Sequence, residues 1–285
     1  MQWMLDNKDA TDVVGFLGSV GEDDTAIQYT SLLDSEGIVS YFETIHNEPT
    51  GTCLVVCCNK DRAHITELGA STKISNDYVE RVIKHFVNCE LIFTELYILA
   101  DQKELCFKLA EMGLNNKRIY GFNLPSTHFI KHFLDDIVKM ISFADIVFAN
   151  FDEAVDFCSF YGISTNSTIA DMVKELAKLP KRNKHKNRIF VVTSGTNPAW
   201  VCEYDFEKDC VKYCESFEIR AIPEELIVDT NGAGDSFAGG FLSQYMRGKS
   251  IEQCMKAGHW AASMIIQQIG FVVPTEIKYE PQMVN

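Results

Sequence analysis

The chain has 285 residues, of which 46% are apolar, and its 40 acidic against 26 basic residues give a formal net charge of −14. This length and apolar content allow a sizeable core, either in one large α/β domain or in a domain with a small appendage. The acidic balance provides no dominant positive surface to neutralise phosphates, so we expect no nucleic-acid partner.

Several features bear on the compartment of the protein. No apolar run of about 18 residues occurs, so we expect no membrane span. Residues 6–12 carry charges where a signal peptide needs its apolar core. The ten cysteines are scattered without a CxxC pair, which favours free thiols in a reducing, cytoplasmic location. The basic run 181–188 is typical of a solvated loop, with nuclear localisation as the alternative.

Strand-like apolar runs alternate with helix-period segments over most of the chain. Such alternation predicts an α/β fold with a central, mostly parallel sheet and helices on both faces, here as a single domain of residues 1–285. The predicted strands are 13–17, 90–93, 118–120, 145–148 and 188–192. The predicted helices are 24–36, 76–87, 103–112, 129–140, 151–161 and 168–178.

Two segments interrupt this alternation. Residues 38–43 and 50–57 look like strands joined by a loop without a helix, which predicts a small β element near residues 38–68. Further predictions are a hairpin of residues 200–204 and 211–214 bordering the main sheet, and two apolar helices at 233–246 and 251–268.

Polar residues directly follow several of the predicted strands. Sites in parallel sheets form at the carboxyl ends of the strands, so these residues should gather along one edge. They are Asn123, Asn150, Thr193 and Asp229. The cysteines Cys202, Cys210 and Cys214 lie close in sequence, but no histidine has the spacing of a zinc site, so we expect no metal there.

A glycine-rich turn at residues 229–235, with the sequence DTNGAGD, joins the strand-like run 226–228 to a helix. Helix N-termini attract anions through unpaired N–H groups and the helix dipole, and Gly232 and Gly234 allow a phosphate to approach closely. Asp235 would repel that anion unless it accepts a proton from a hydroxyl attacking the transferred phosphoryl group. A capped helix start with glycines for tight packing is the alternative.

This turn resembles the C-terminal signature of the ribokinase-like carbohydrate and nucleoside kinases. The resemblance covers residues 2 to about 274, and the DTNGAGD and PTGT (49–52) segments favour members that phosphorylate adenosine. It implies a ribokinase-like fold with a partial β lid, and ATP-dependent, Mg²⁺-assisted phosphorylation of the 5′-hydroxyl of adenosine to AMP by a cytoplasmic monomer. Further segments match motifs of the family and occur in the same order along the chain. They are 2–4, 18–23, 49–53, 61–62, 150 with 153, 193–195 and 257–262.

The resemblance assigns the transfer chemistry to a base, a cation and an anion cradle. Asp235 matches the family's catalytic aspartate. Arg62 matches an arginine that contacts the transferred phosphate, and a guanidinium can grip two phosphate oxygens at once. The cradle is formed by the backbone of Asn231, Gly232, Ala233 and Gly234.

Further positions follow from the same resemblance. Asn150 and Glu153 match an Asn-x-x-Glu pattern that helps organise Mg²⁺ and phosphates, although this pattern is also a helix capping box and both roles can coexist. For the residues of the ligand pockets, ordinary packing or surface roles stay open. They are Thr193, Gly195 and His259 for the nucleotide, and Leu68 and Tyr97 for the nucleoside.

The chain departs from the family at its N-terminus. Members carry an aspartate that binds the ribose hydroxyls, and further lid strands, before the segment that matches residues 2–4. We therefore expect an incomplete chain with little activity in its 285-residue form. Another nucleoside or sugar kinase and a truncated, non-catalytic nucleotide-binding paralogue are the alternatives; Asp235 argues against the second, because a chain without catalysis does not need a carboxylate in its cradle.

Overall fold

The chain forms two compact units in a computed structural model, which describes residues 1–5, 13–58, 61–166, 168–219, 222–270, 272–273 and 279. Of Cys57, Cys58, Asp61 and Arg62, only the backbone is described. The first unit is discontinuous and consists of Met1–Val87 and Ile222–Asn285, whereas the second is the continuous segment Asn88–Ala221.

The N-terminal part of the first unit contains two separate pairs of strands. Its elements are α1 (Gln2–Leu5), β1 (Val14–Gly21), α2 (Asp24–Ser35), β2 (Ile38–Ile45), β3 (Thr52–Cys58), β4 (Asp61–Glu67) and α3 (Asn76–Val82). Strands β1 and β2 pair in parallel, with Val14 opposite Ile38, and β3 and β4 pair antiparallel. We expected residues 38–43 to join residues 50–57 in one β element. The structure pairs β2 with β1 instead, because helix α2 supplies the crossover that parallel strands need.

The second unit is built on a six-stranded mixed sheet, which confirms the predicted α/β class. The strand order is β10-β9-β8-β7-β6-β5, with β5 to β8 parallel and β9 and β10 antiparallel. Its elements are β5 (Leu91–Glu95), α4 (Lys103–Met112), β6 (Ile119–Asn123), α5 (Thr127–Ile141), β7 (Ile146–Asn150), α6 (Phe151–Tyr161), α7 (Ile169–Lys178), β8 (Arg188–Ser194), β9 (Asn197–Asp205) and β10 (Cys210–Phe217).

The core of this unit lies between the sheet and its helices. Buried apolar side chains of the inner strands pack against apolar side chains of α5, α6 and α7, which stabilises both layers by removing apolar surface from water. The strand members include Phe122, Val147 and Phe190, and the helix members include Ile137, Phe157 and Leu176.

A buried ion cluster holds the amino ends of strands β7 and β8. Asp145 accepts hydrogen bonds from the Tyr120 amide at 2.9 Å and from Lys181 Nζ at 2.7 Å, and it also pairs with Lys186. Arg188 is wholly buried and donates to the carbonyl oxygens of Ile141, Ala144, Ala177, Leu179 and Pro180.

The prediction that the basic run 181–188 is a solvated loop is therefore wrong for Lys181, Lys186 and Arg188. Their ammonium and guanidinium groups bind a carboxylate and the carbonyls at the ends of elements instead of facing water. Buried charges of this kind persist only when they are paired and hydrogen-bonded. Lys184 and His185 are exposed as expected.

The first unit ends with two closely packed helices, α8 (Ala233–Tyr245) and α9 (Ile251–Ile265). A Cβ atom at Gly240 would lie 2.6 Å from the Ala257 carbonyl oxygen, and one at Gly258 would lie 2.9 Å from the Phe237 carbonyl oxygen. Glycine at both positions is therefore what lets the two backbones approach. Within the part of the chain that the structure describes, every helix is too short or too polar to cross a bilayer.

The strand predicted at residues 226–228 is absent. Glu224–Leu226 forms a 3-10 turn, and the Val228 amide donates to the Ile266 carbonyl oxygen at 2.8 Å. The segment is apolar enough for a strand, but the amides of Leu226 and Ile227 donate within the 3-10 turn and that of Val228 donates to the end of α9, so no neighbouring strand is needed.

Candidate active site

The turn before helix α8 is held by Asp229. Its Oδ1 accepts a hydrogen bond from the Asn231 amide at 2.8 Å, and its Oδ2 accepts one from the Gly270 amide at 3.3 Å. The first contact is an Asx-type turn, in which a side chain fixes the backbone two residues ahead. From the sequence, Asp229 was only expected at a strand end, but the structure identifies it as the residue that sets the conformation of the turn.

Glycine residues shape the start of α8. Gly232 occupies the N-cap position at φ +73°, a left-handed conformation that glycine adopts without steric cost. It provides no side-chain cap for the amides of the first turn. A Cβ atom at Gly234 would meet no atom within 4 Å, so the space beside this part of the turn is open. The geometry suits an anion at the positive end of the helix dipole.

Asp235 is exposed in the first turn of α8, three residues after the N-cap. An acidic residue at this position also interacts favourably with the helix dipole, so its location suits both a structural and a catalytic role. The N-cap Gly232, the open position Gly234 and the carboxylate of Asp235 therefore lie within one helical turn. Their role in the transfer chemistry stays a prediction.

Asn150 and Glu153 form a complete capping box at the start of α6. Asn150 Oδ1 accepts a hydrogen bond from the Glu153 amide at 2.8 Å, and Glu153 Oε2 accepts one from the Asn150 amide at 2.9 Å. The helix capping box, which the sequence offered as the alternative to a metal-binding role, is therefore present. Amide and carboxylate oxygens can accept more than one contact, so the capping role and a role toward a ligand are compatible.

The carboxyl ends of β6, β7 and β8 bring three predicted residues to one edge of the sheet. Asn123 and Asn150 are the last residues of β6 and β7, and Thr193 of β8 lies directly opposite Asn150 in the strand register. The Thr193 hydroxyl donates to the Ala149 carbonyl oxygen at 3.4 Å. The expectation of a shared edge is confirmed for these residues, whereas Asp229 follows a 3-10 turn and not the predicted strand.

The turn between β8 and β9 contains Gly195, which adopts φ +56° and would leave a Cβ atom without neighbours within 4 Å. This left-handed conformation is favourable for glycine and makes the tight reversal into the antiparallel strand possible. Residue 195 therefore places no side chain on the surface beside Thr193.

His259 lies on α9 and packs edge-on against the Phe237 ring of α8, with ring centroids 5.1 Å apart. Its Nε2 atom is buried without a hydrogen-bond partner among the described residues. Burial lowers the pKa of His259 to about 4, so the ring is neutral near pH 7. Since this nitrogen is enclosed by the protein, a nucleotide-binding role for His259 stays a prediction.

This burial makes stability dependent on pH. Because the His259 pKa is about 4 in the native state and near 6.5 in the unfolded chain, only the unfolded state gains this proton as the pH falls between those values. We expect this group to lower the free energy of unfolding by about 2 kcal/mol between pH 7.5 and pH 5. Urea unfolding of His259→Phe, which keeps an aromatic ring beside Phe237, should show a correspondingly weaker pH dependence. An unchanged dependence would rule out His259 as its source.

The residues predicted for the nucleoside pocket are accessible. Leu68 is 52% exposed and precedes a 3-10 turn, Gly69–Thr72. Tyr97 is 47% exposed, its hydroxyl accepts a hydrogen bond from the Ser126 amide at 2.9 Å, and its ring packs edge-on against Phe129. Arg62 lies in β4 opposite Cys57, and its side chain is outside the described part of the structure.

The ligand atoms available at this edge of the sheet are oxygens, and they determine which metal ion could bind there. Among the described residues, no three His, Cys, Asp or Glu side chains come close enough to hold a metal ion together. Mg²⁺ prefers oxygen ligands and usually keeps several waters, so one or two protein oxygens suffice for it. The amide oxygen of Asn150 and the carboxylate of Glu153 fit that requirement.

Known structures share this fold. Anopheles gambiae adenosine kinase in complex with P1,P4-di(adenosine-5) tetraphosphate matches with a TM-score of 0.86 and 25% identity, over 94% of this chain and 77% of that one. Schistosoma mansoni adenosine kinase in complex with 2-fluoroadenosine matches with a TM-score of 0.87 and 26% identity, over 96% and 78%. The fold and the glycine-rich turn thus define a phosphotransferase of the ribokinase-like class.

Sequence comparison identifies the family. The model of the pfkB family carbohydrate kinases matches residues 8–278. Dictyostelium discoideum adenosine kinase is 30% identical over 275 residues, which cover 96% of this chain and 77% of that protein. The chain therefore belongs to the pfkB family of carbohydrate kinases, and the resemblance found in its sequence is confirmed.

Proposed function

We propose that this protein is an adenosine kinase that transfers a phosphoryl group from ATP to the 5′-hydroxyl of adenosine in the cytoplasm. The observation that carries the proposal is the exposed carboxylate of Asp235 in the first turn of α8, three residues after the left-handed N-cap Gly232. Similarity over nearly the whole chain to proteins named adenosine kinase supports adenosine as the acceptor.

In this proposal Asp235 accepts the proton of the 5′-hydroxyl as that oxygen attacks the γ-phosphorus. A carboxylate placed beside the attacking oxygen orients it and takes its proton in the transition state. The backbone of residues 231–234 stabilises the negative charge on the transferred phosphoryl group. Arg62 contacts the same charge with its guanidinium.

We assign Asn150 and Glu153 to Mg²⁺, held largely through water. The bound ion would neutralise charge on the phosphate oxygens of ATP. Thr193, Gly195 and His259 are assigned to the nucleotide, and Leu68 and Tyr97 to the purine. The half-exposed ring of Tyr97 and the side chain of Leu68 offer the apolar surface that a purine requires.

The test of this function is AMP formation from adenosine and Mg·ATP by the protein expressed from its complete coding sequence. A panel of guanosine, cytidine, ribose and fructose distinguishes the alternative of another nucleoside or sugar kinase. We expect kcat/KM for adenosine to exceed that for each other acceptor by about 100-fold or more. A preferred sugar or pyrimidine nucleoside would replace the proposed acceptor, and no transfer to any acceptor would contradict the kinase assignment.

The open space at Gly234 allows a test of the anion cradle. A methyl group at this position meets no protein atom, so Gly234→Ala should fold normally and gain about 0.5 kcal/mol from better helix propensity. The same methyl group would occupy the approach of the phosphate, and we expect kcat/KM for Mg·ATP to fall by about 10- to 100-fold, or about 1.4 to 2.7 kcal/mol of transition-state stabilisation. Thermal unfolding provides the folding control, and unchanged kinetics would place the phosphate elsewhere.

A further inference from the structure

Two cysteines face each other across the hairpin at the edge of the six-stranded sheet. Cys202 of β9 and Cys214 of β10 are direct partners in the antiparallel register. Cys214 packs against the apolar cluster that contains Cys202, so both side chains lie on the same face of the hairpin. Cys202 is wholly buried and Cys214 is half-buried.

The backbone geometry of this pair suits a disulfide. Residues directly opposite each other in an antiparallel ladder have Cα atoms about 4.5 or 5.5 Å apart, depending on the type of pair. Disulfides span Cα separations of about 4.4–6.8 Å, which includes both values. Formation of a bond between Cys202 and Cys214 therefore needs side-chain rotation and little movement of the strands.

Helix α7 packs beside the pair, and Cys214 is its more accessible thiol. The sulfur of Cys214 lies 3.8 Å from the Ala170 carbonyl oxygen, and the ammonium group of Lys174, one turn further along, acts on both sulfurs. The neighbouring Cys202 thiol, followed by the charge of Lys174, lowers the pKa of Cys214 against the opposing effect of burial. The Cys214 thiol and burial raise the pKa of Cys202.

We propose that Cys202 and Cys214 are a peroxide-sensitive pair that closes to an intramolecular disulfide across the β9–β10 hairpin. The Cys214 thiolate attacks one oxygen of hydrogen peroxide, the O–O bond breaks, and Cys214 sulfenic acid forms with release of hydroxide. The Cys202 sulfur then attacks the Cys214 sulfur, the S–O bond breaks, and the second oxygen leaves as water. In total two thiols and one peroxide give one disulfide and two waters, the thiol protons being taken up by the released oxygens.

Other thiols in the described part of the chain lack this combination of partner and access. Cys106, Cys158 and Cys254 are wholly buried, and burial raises the pKa of each. Cys210 is exposed on the same hairpin, but its register partner is Asp205. Cys210 is therefore a matched control, since it shares the strand with Cys214 and faces no thiol across the ladder.

The experiment treats the full-length protein with hydrogen peroxide, blocks free thiols with N-ethylmaleimide and maps disulfides by peptide mass spectrometry. We expect a dithiothreitol-reversible peptide pair joining Cys202 to Cys214, at least about tenfold more abundant than any other linked pair, because these two thiols are preorganised to react. Cys210→Ser should leave that pair unchanged. In Cys202→Ser, a dimedone adduct should accumulate at Cys214, because its sulfenic acid has no thiol to resolve it.

Several outcomes would overturn the proposal. They are a dominant disulfide involving Cys210, intermolecular disulfides only, and oxidation of exposed cysteines while Cys202 and Cys214 stay reduced. Disulfide mapping of the unmodified protein tests the proposal without any variant, so misfolding of a variant cannot affect the conclusion. Kinase activity does not enter the readout, and the result is therefore independent of the proposed function.

Discussion

Replacing Asp235 with asparagine is expected to lower kcat for AMP formation by about 10³-fold, because loss of a positioned general base typically costs 10²- to 10⁴-fold. Asparagine keeps the size of the side chain and removes its ability to accept the proton. The KM values should change much less, since the side chain contributes mainly in the transition state. Steady-state kinetics with adenosine and Mg·ATP measure both quantities.

A matched control separates catalysis from the helix dipole. Asp171 stands at the same position of α7 that Asp235 occupies in α8, three residues after the N-cap, and it is also exposed. Asp171→Asn should therefore cost a comparable, small amount of stability and leave kcat within about twofold, since both carboxylates act on a helix N-terminus. Comparable turnover in Asp235→Asn and the unmodified protein would remove Asp235 as the base.

Replacing Asp145 with asparagine is expected to lower the free energy of unfolding by about 3–5 kcal/mol, the usual cost of removing one partner from a buried ion pair. The carboxylate accepts hydrogen bonds from Lys181 and the Tyr120 amide, and it pairs with Lys186. Without that charge, the effect of burial on Lys181, whose pKa is already lowered to about 7, is no longer opposed, and the buried Arg188 cation loses its compensating carboxylate. Urea unfolding at pH 7 measures the loss.

An exposed ion pair provides the comparison for this variant. Glu252 and Lys256 lie one turn apart on α9, with 3.2 Å between carboxylate oxygen and ammonium nitrogen, and the Glu252 side chain is 61% exposed. Glu252→Gln should change the free energy of unfolding by less than about 1 kcal/mol, because water screens such pairs. A loss below 1 kcal/mol in Asp145→Asn as well would show that the buried cluster contributes no more than a surface pair.

Much of the fold could be predicted from periodicity. The helices at 103–112 and 151–161 were predicted with the bounds that the structure shows, because each has a clear helical repeat. The run 226–228 misled the prediction, since an apolar triplet does not reveal whether a strand lies beside it. The strand that pairs with β2 could not be predicted either, because strand pairing depends on contacts between residues distant in sequence.

The candidate site also contains features that the local sequence predicts and features that depend on distant residues. The glycine-rich turn could be found because its chemistry lies in seven consecutive residues, and the capping box because its two members are three residues apart. The role of Asp229 required the amide of Gly270, and the burial of Lys181 and Arg188 required Asp145 and carbonyls from several segments. Such long-range partners leave no local signal. The roles of the individual site residues remain predictions until the variants are measured.

The division of the chain into a continuous and a discontinuous unit has a consequence for its biosynthesis. Residues 88–221 leave the ribosome as one segment and can complete their sheet at once, because every strand partner is already present. The first unit must wait for residues 222–285, with its initial segment exposed during the whole interval. Closing such a long loop makes its assembly slow, so this segment is where chaperones would be needed most.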